Sequence, residues 1–414
     1  MKEYILYALP AFSLALLGLP LYVYLPTFYA QDVGLGLFGV GLTLLVARLF
    51  DMLLDPLIGY WSDAYFPRKV FMLFGGVLLV LSFYFLTHPQ DEAGYLWLLA
   101  FSVLVYFAWS LVSVPYYAMG ADLGKTYEQN THFATAREFF NVLGVLVALL
   151  LPFVFEVADN PQAALLVLFT ALCIALPITL VLFFLSVSSQ RIQNHFRSFK
   201  ETLLLFGREL RHSKELFSAF LLNSLANAIP ATLFLLYVEL VLQAKELSGV
   251  LLLSYFTSGV VALWFWNSVA LKTSKKTAWS LSMLLALSAF SFVPFLQEGD
   301  VVAFFIITII SGMSLGADMA LPVSMQADVA QNSLNAPREM GGTLFGFFAM
   351  LVKLSLALGV GVSFGLLGLF EFDVSAPTQD SLLLLSLIYA AIPVCLKLGA
   401  LYILRFYKET NANI

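Results

Sequence analysis

The chain has 414 residues, of which 61% are hydrophobic and 11% charged, with a mean hydropathy of +0.90; soluble domains carry roughly 25% charged residues. A water-soluble globule is excluded, and the length leaves room for about twelve bilayer-crossing helices with their connections. The formal charge of −5 sums loops on opposite sides of a membrane, so it points to no nucleic-acid partner and none is expected.

The apolar segments are long and continuous rather than alternating, which selects helices over a membrane barrel. In chain order, spans are predicted near 4–30, 37–61, 70–88, 95–118, 134–156 and 163–186. The second half repeats the count near 215–241, 248–271, 277–297, 301–326, 341–369 and 381–405. The first run is about twice the length of a signal-peptide core and reads as a retained helix. Between the sets, the stretch 187–214 holds Arg191, Arg197, Lys200, Arg208, Arg211 and Lys214. The expected organisation is a six-helix bundle over 1–186, a linker over 187–214 and a second six-helix bundle over 215–414.

Of the 21 Lys and Arg residues, 16 fall on one set of termini and loops, and Lys245 alone falls on the other. Positive loops remain in the cytoplasm, so the linker and both termini are expected there, in a multi-pass protein of the inner (plasma) membrane. The opposite loops carry Asp91, Glu92, Asp159, Glu298, Asp300, Glu371 and Asp373. Cys173 and Cys395 sit in apolar runs, so neither a disulfide nor a cysteine metal site is implied.

An internal repeat supports two related halves. Val114-Pro115 precedes Gly120-Ala121-Asp122 in span 4, Leu321-Pro322 precedes Gln326-Ala327-Asp328 in span 10, and the prolines stand 207 residues apart. Parallel repeats of this kind place a solute site at the midplane and work by rocking of one half against the other.

Charges inside spans are costly and mark function. Arg48, Asp51 and Asp55 follow at spacings of three and four, one face of a helix. Arg137 in span 5 and Lys353 in span 11 bring the buried charges considered to five, and mutual pairing or a watery cavity must offset their cost. Two carboxylates a turn apart repel unless a cation or proton lies between them. Oxygen ligands suit a hard monovalent cation, the one metal expected, because the four histidines lie in loops or near span ends. Asp318, one turn before Pro322, is read as contacting solute, carrying a proton or pairing with Lys353. Lys397 is expected to snorkel from span 12 to the membrane surface. Trp109, Tyr116, Tyr117, Tyr237 and Asn141 are candidate cavity residues, and Asp122 and Asp328 are expected to cap or bridge helix ends in a gating role.

Gly59-Tyr60-Trp61-Ser62-Asp63 followed by Arg68-Lys69 resembles the Gly-x-x-x-Asp and basic pair joining spans 2 and 3 of major facilitator transporters. The stretch from Ala47-Arg48-Leu49-Phe50-Asp51 to Asp55-Pro56-Leu57-Ile58-Gly59-Tyr60 resembles the span 2 signature of glycoside-pentoside-hexuronide:cation symporters, the melibiose permease family. Val114-Pro115-Tyr116-Tyr117 with Ala136-Arg137-Glu138-Phe139-Phe140 resembles its span 4 to span 5 region. Gly346-Phe347-Phe348 with Leu351-Val352-Lys353-Leu354 resembles its span 11.

The resemblance implies an all-α membrane protein of twelve helices in two pseudo-symmetric halves, the major facilitator fold. It implies that Asp51, Asp55 and a hydroxyl at Ser110 bind the coupling ion, H+ or Na+, and that Arg137 and Lys353 balance that charge beside the solute. Gly59, Asp63 and Arg68 fall at its gate. The family's asparagine before the second aspartate is Leu54 here, which favours protons over sodium. Galactoside-binding carboxylates fall at Ala15 and Ser113, and a stacking tryptophan falls at Tyr117.

The expected solute set is Trp109, Ser113, Tyr116, Tyr117, Arg137, Asn141, Asp318 and Lys353. Gly34-Leu35-Gly36-Leu37-Phe38-Gly39 spells a dinucleotide fingerprint but follows a membrane span, and Gly361-Val362-Ser363-Phe364-Gly365 spells a nucleophile elbow inside another. No enzyme and no cofactor are expected. The expected function is cation-coupled symport of a small organic solute, a sugar or glycoside, by a monomer in the bilayer. The alternatives are an amphipathic or anionic solute such as a lysolipid or organic acid, or a non-transporting membrane sensor.

Overall fold

The computed structural model describes residues 2–18, 20–65, 67–90, 93–124, 126–187, 199–332, 340–372 and 377–409. Lys125, Arg191, Arg197, Arg338 and the acidic Asp91, Glu92 and Asp373 lie outside them. Among the described residues, eleven helices are long and apolar enough to cross a membrane. Leu37–Ala64 adds another of spanning length, 28 residues with Arg48, Asp51 and Asp55 in its middle.

The first span begins as α1 (Lys2–Ala15) and continues through a widened turn over Pro20–Tyr24, one α-helical turn over Leu25–Thr27 and a second widened turn over Phe28–Asp32. Pro20 and Pro26 cannot donate to the ladder, and the widened turns carry hydrogen bonds that reach a residue further back, as at Val33 to Phe28 (3.1 Å). Then follow α2 (Leu37–Ala64), α3 (Arg68–Thr87), α4 (Tyr95–Leu123), α5 (Tyr127–Val154) and α6 (Pro161–Ser186). The linker contributes α7 (Phe199–His212), an amphipathic helix. The later spans are α8 (Lys214–Leu240), α9 (Ser248–Lys272), α10 (Lys275–Phe290), α11 (Val301–Asn332), α12 (Gly341–Leu369) and α13 (Gln379–Leu404).

Helix starts are written into the loops. The side chains of Thr126, Asn160, Ser274 and Thr378 each accept from the backbone N–H three residues on, satisfying an orphan donor where the chain enters apolar surroundings. The fifth span starts seven residues ahead of its apolar limit for this reason: Thr126 caps a polar first turn.

Residues 1–207 and 326–350 form one compact unit, and 208–325 and 351–414 form the second. In the first unit, α1 packs on α5 and α6, α2 on α4, and α3 on α4 and α6. Its core holds Tyr7, Tyr29, Phe83, Tyr106, Tyr116 and Phe183. The segment 326–350, the end of α11 and the start of α12, packs with this unit; Gly59 and Gly342 let the backbones of α2 and α12 touch, so a Cβ on either would meet the other's carbonyl. In the second unit, α8 packs on α13 and α10 on both α9 and α13, around Tyr237, Phe304 and Tyr389.

Candidate functional site

The carboxylates of α2 come first. Asp55 is fully buried and Asp51 is 6% exposed. From α4, Ser110 Oγ donates to Asp51 Oδ1 at 3.1 Å, so the predicted hydroxyl meets the predicted carboxylate. Arg48 does not need a carboxylate on the same face to offset its charge. Its guanidinium lies 3.8 Å from the Tyr22 ring centroid and 5.6 Å from that of Tyr106, where the ring faces hold the cation.

A second polar group lies where α4 and α5 face each other. Trp109, Ser113 and Tyr117 recur every four residues on α4 and are half-buried. Arg137 of α5 donates from Nε to Glu138 Oε1 at 2.8 Å and from Nη2 to the same oxygen, and its guanidinium sits 4.3 Å from the Tyr117 ring centroid. Asn141 Nδ2 donates to Glu138 Oε2 at 3.0 Å. Glu138, 6% exposed, was missing from the sequence-derived set of buried charges, and it supplies Arg137 with its counter-charge. The cluster joins Arg137, Glu138, Asn141 and the Tyr117 ring into one polar network.

Tyr116 is a correction. It is fully buried, packs against Tyr7 and Phe183 and donates its hydroxyl to the Tyr7 carbonyl at 2.9 Å, so it is core rather than cavity lining. Tyr237 is core too, stacked 4.3 Å from Tyr389, with its hydroxyl on the Val293 carbonyl at 3.1 Å.

At the end of α2, Asp63 accepts from the backbone N–H of Gly342 and of Thr343, each at 2.8 Å, and from the Thr343 hydroxyl at 3.0 Å. A carboxylate there satisfies orphan donors and meets the positive end of α12. Arg68 bridges Asp63 (2.9 Å) and Asp122, tying α2, α3, α4 and α12 together. Asn130 donates to Asp328 at 2.8 Å, and Gln331 donates to Asn130 at 2.9 Å and to the carbonyls of Ala121 and Gly124. Gly59, Asp63, Arg68, Asp122 and Asp328 therefore belong to a polar seam between 326–350 and the rest of the first unit. Asn130 and Gln331 extend it and carried no sequence signal.

The second unit has its own buried charges. Asp318 Oδ1 accepts from Trp279 Nε1 (2.8 Å), and Oδ2 accepts from Asn227 Nδ2 (2.8 Å) and Lys397 Nζ (3.2 Å). Lys397 also donates to Asn223 Oδ1 at 2.7 Å. Two expectations change. Lys397 does not snorkel, since α13 places it mid-bundle with a counter-ion within reach and its side chain 8% exposed. Asp318 pairs with Lys397 rather than with Lys353, which is half-buried on α12. Above this network lies a cavity of about 320 Å³ lined chiefly by apolar side chains.

Residues 6–411 match the family model described as MFS/sugar transport protein. The chain belongs to this family. Within it, the chain is 23% identical over 409 residues to the putative glycoside/cation symporter YagG of Escherichia coli, covering 94% of this chain and 87% of that one. It is 28% identical over 222 residues to the sphingosine-1-phosphate transporter MFSD2B of Xenopus tropicalis, a match spanning 52% of this chain and only 42% of that protein. The mouse sodium-dependent lysophosphatidylcholine symporter 1 is 23% identical over 414 residues, covering 88% and 77% of the two chains. The crystal structure of the E. coli fucose:proton symporter FucP superposes with a TM-score of 0.73 at 12% identity, over 99% of both chains. The fold is that of a major facilitator transporter, and the chain is a multi-pass membrane protein of that type.

Proposed function

We propose that this transporter is a symporter, coupling movement of a small organic solute to H+ or Na+ held at Asp51 and Asp55. The observation that carries this reading is the Ser110 hydroxyl at 3.1 Å from Asp51, one turn from the fully buried Asp55. Two carboxylates so close in apolar surroundings call for a proton or a cation between them, and carboxylate and hydroxyl oxygens are hard-cation ligands. Leu54 adds no oxygen, which favours protons.

The solute site of the first reading is the α4–α5 wall. With Arg137 neutralised by Glu138, the wall is a hydrogen-bonding surface rather than an anion receptor. Glu138 and Asn141 beside the Tyr117 ring suit a hydroxylated ring that stacks and donates, so a sugar or glycoside leads. The name of the YagG relative and the description of the family agree with it. An amphipathic solute is the second reading, favoured by the apolar cavity of the second unit and by the lipid-related names of two relatives. Lys353 belongs to the solute set in either case. Gly59, Asp63, Arg68, Asp122 and Asp328 serve as the latch that opens and closes during transport. The 16-to-1 distribution of Lys and Arg supports a plasma-membrane protein with cytoplasmic termini, and nothing in the proposed cycle needs more than a monomer.

The test needs no solute. Thermal stabilisation by Na+ or Li+, and proton release near neutral pH, are measured on purified wild type and Asp55→Asn. Stabilisation lost in the variant establishes a metal-cation site, and a titrating group lost in the variant establishes proton coupling. No difference in either signal removes the cation site from this reading.

A further inference from the structure

The face of α4 that meets Asp51 and Arg48 carries a column of hydroxyls. Ser102, Tyr106 and Ser110 recur every four residues, so they share one face over about 12 Å at 1.5 Å per residue. Ser110 donates to Asp51 at 3.1 Å. One turn nearer the Tyr95 end of α4, the Tyr106 ring lies beside Arg48 of α2, with the guanidinium 5.6 Å from the ring centroid. Ser102 stands one turn further still. Ser102 is fully buried and Tyr106 is 2% exposed.

Neither the Ser102 nor the Tyr106 hydroxyl has a hydrogen-bond partner among the described residues; Arg48 approaches the Tyr106 ring without bonding its hydroxyl. This sets the two apart from neighbours in the same unit. Thr131 donates to the Tyr127 carbonyl (2.9 Å), Thr170 to the Leu166 carbonyl (2.8 Å) and Thr179 to the Ala175 carbonyl (2.9 Å), the usual outlet for a hydroxyl inside a helix. Tyr29 reaches the Leu86 carbonyl at 3.0 Å and Tyr116 the Tyr7 carbonyl at 2.9 Å. A buried hydroxyl without a partner is costly. Two of them at consecutive turns make a polar place for ordered water, which bonds to about three groups. The charges beside the column are Arg48 and Asp51 of α2, which balance each other, and the Tyr22 ring of the first span holds Arg48 from its other side. Leu98, one turn beyond Ser102, is apolar and fully buried, so the column is closed toward the Tyr95 end.

We infer that Ser102, Tyr106 and the water they bind form a proton relay that serves Asp51. The relay rests on the reading of Asp51 and Asp55 as the coupling site, and it names the ion held there as a proton. A proton on the water at Ser102 passes to the Tyr106 oxygen while Tyr106 gives its own hydrogen to the next water, and that water protonates a carboxylate oxygen of Asp51. Each hydroxyl ends as it began, and only Asp51 gains a proton; release runs the same steps backward. A metal ion would need room to move whole past the Arg48 charge, whereas hydroxyls pass a proton by exchanging hydrogens.

The test uses the full chain in phospholipid nanodiscs. Hydroxyl-radical footprinting by X-ray radiolysis oxidises side chains next to bound water. Tyr106 should be oxidised several-fold faster than Tyr116, which is comparably buried but has its hydroxyl on a carbonyl. Equal protection of the two overturns the hydrated column. Proton release after a pH jump, followed with an indicator dye, should be about tenfold slower in Tyr106→Phe and in Ser102→Ala, the effect of losing one hydrogen bond from the path. The number of protons and the pH midpoint should match wild type, because Asp51 and Asp55 are untouched. Ser102→Thr keeps the hydroxyl and should restore the rate. Wild-type rates in both variants would make the water structural and overturn the relay. Asp55→Asn separates the two readings: a proton signal lost there supports the coupling site even if the relay variants are fast, and a wild type that releases no proton removes both. Tyr106→Phe keeps the ring beside Arg48 and should melt no lower than wild type. If neither relay variant folds, the footprint decides alone.

Discussion

Arg137 and Glu138 are consecutive residues of α5, yet their side chains meet, with Arg137 Nε donating to Glu138 Oε1 at 2.8 Å. Neighbours in a helix point about 100° apart, so the pair forms only because the long arginine arm bends round while its guanidinium rests on the Tyr117 ring. Both side chains are under a tenth exposed. Removing one partner of such a pair leaves an uncompensated buried charge, at a cost of about 3–5 kcal/mol. Glu138→Gln should therefore lower unfolding stability by roughly 3 kcal/mol. Arg137→Gln/Glu138→Gln should regain most of it, a non-additivity read directly from a thermal double-mutant cycle. Additive losses would mean that the two side chains act separately.

Ser110 joins α4 to α2 through the hydrogen bond its hydroxyl donates to Asp51, and a hydroxyl oxygen that donates its hydrogen remains a ligand through its lone pairs. Ser110→Ala should raise the cation concentration for half-maximal stabilisation about tenfold, since a hydrogen bond to a charged group is worth about 1.5–3 kcal/mol and 1.4 kcal/mol is a decade. Ser110→Thr keeps the hydroxyl and should titrate like wild type. An alanine variant with an unchanged midpoint would assign Ser110 to packing.

These two relationships differ in how far the sequence announces them. Asp51 and Asp55 stand out because charge is expensive in a span and the i,i+4 spacing puts both on one face, and the Gly-x-x-x-Asp segment marks Asp63 and Arg68 in the same way. The spans are legible from their apolar runs, with polar first turns such as that of α5 added by capping. Glu138 escapes a spacing argument because adjacent residues do not share a face. The Asp318–Lys397 pair spans 79 residues, and no local pattern links α11 to α13. Tyr116 and Tyr237 show the limit for aromatics: composition places a ring in the bundle, but only packing decides whether its hydroxyl faces a cavity or a carbonyl.

Asp63 holds the first two N–H groups of its contact set on α12, Gly342 and Thr343. Asp63→Ala removes a cap worth about 0.5–2 kcal/mol, so these amides should exchange hydrogen roughly 2- to 30-fold faster, as local opening free energy falls by the same amount. Asp122→Asn touches the same Arg68 but neither amide, and should leave their protection nearly intact. Equal loss of protection in both variants would place the latch in Arg68 rather than in the helix cap.

Lys397 discriminates most sharply between a surface lysine and a structural one. A snorkelling lysine reaches water, and its replacement by methionine would change stability by less than about 0.5 kcal/mol. In the bundle its ammonium neutralises Asp318 at 3.2 Å and fills the acceptor of Asn223. Lys397→Met should therefore cost about 3–5 kcal/mol, because the Asp318 charge stays behind in an apolar surround. Trp279 and Asn227 still donate to that carboxylate, which places the loss toward the lower end. Asp318→Asn/Lys397→Met removes both charges and keeps an acceptor for Trp279, so it should recover to within about 1 kcal/mol of wild type. Lys397→Arg should hold the ion pair yet crowd the cavity that Asp318 and Lys397 line. The readout is chemical unfolding of the purified chain, and a Lys397→Met variant as stable as wild type would return this lysine to the membrane surface.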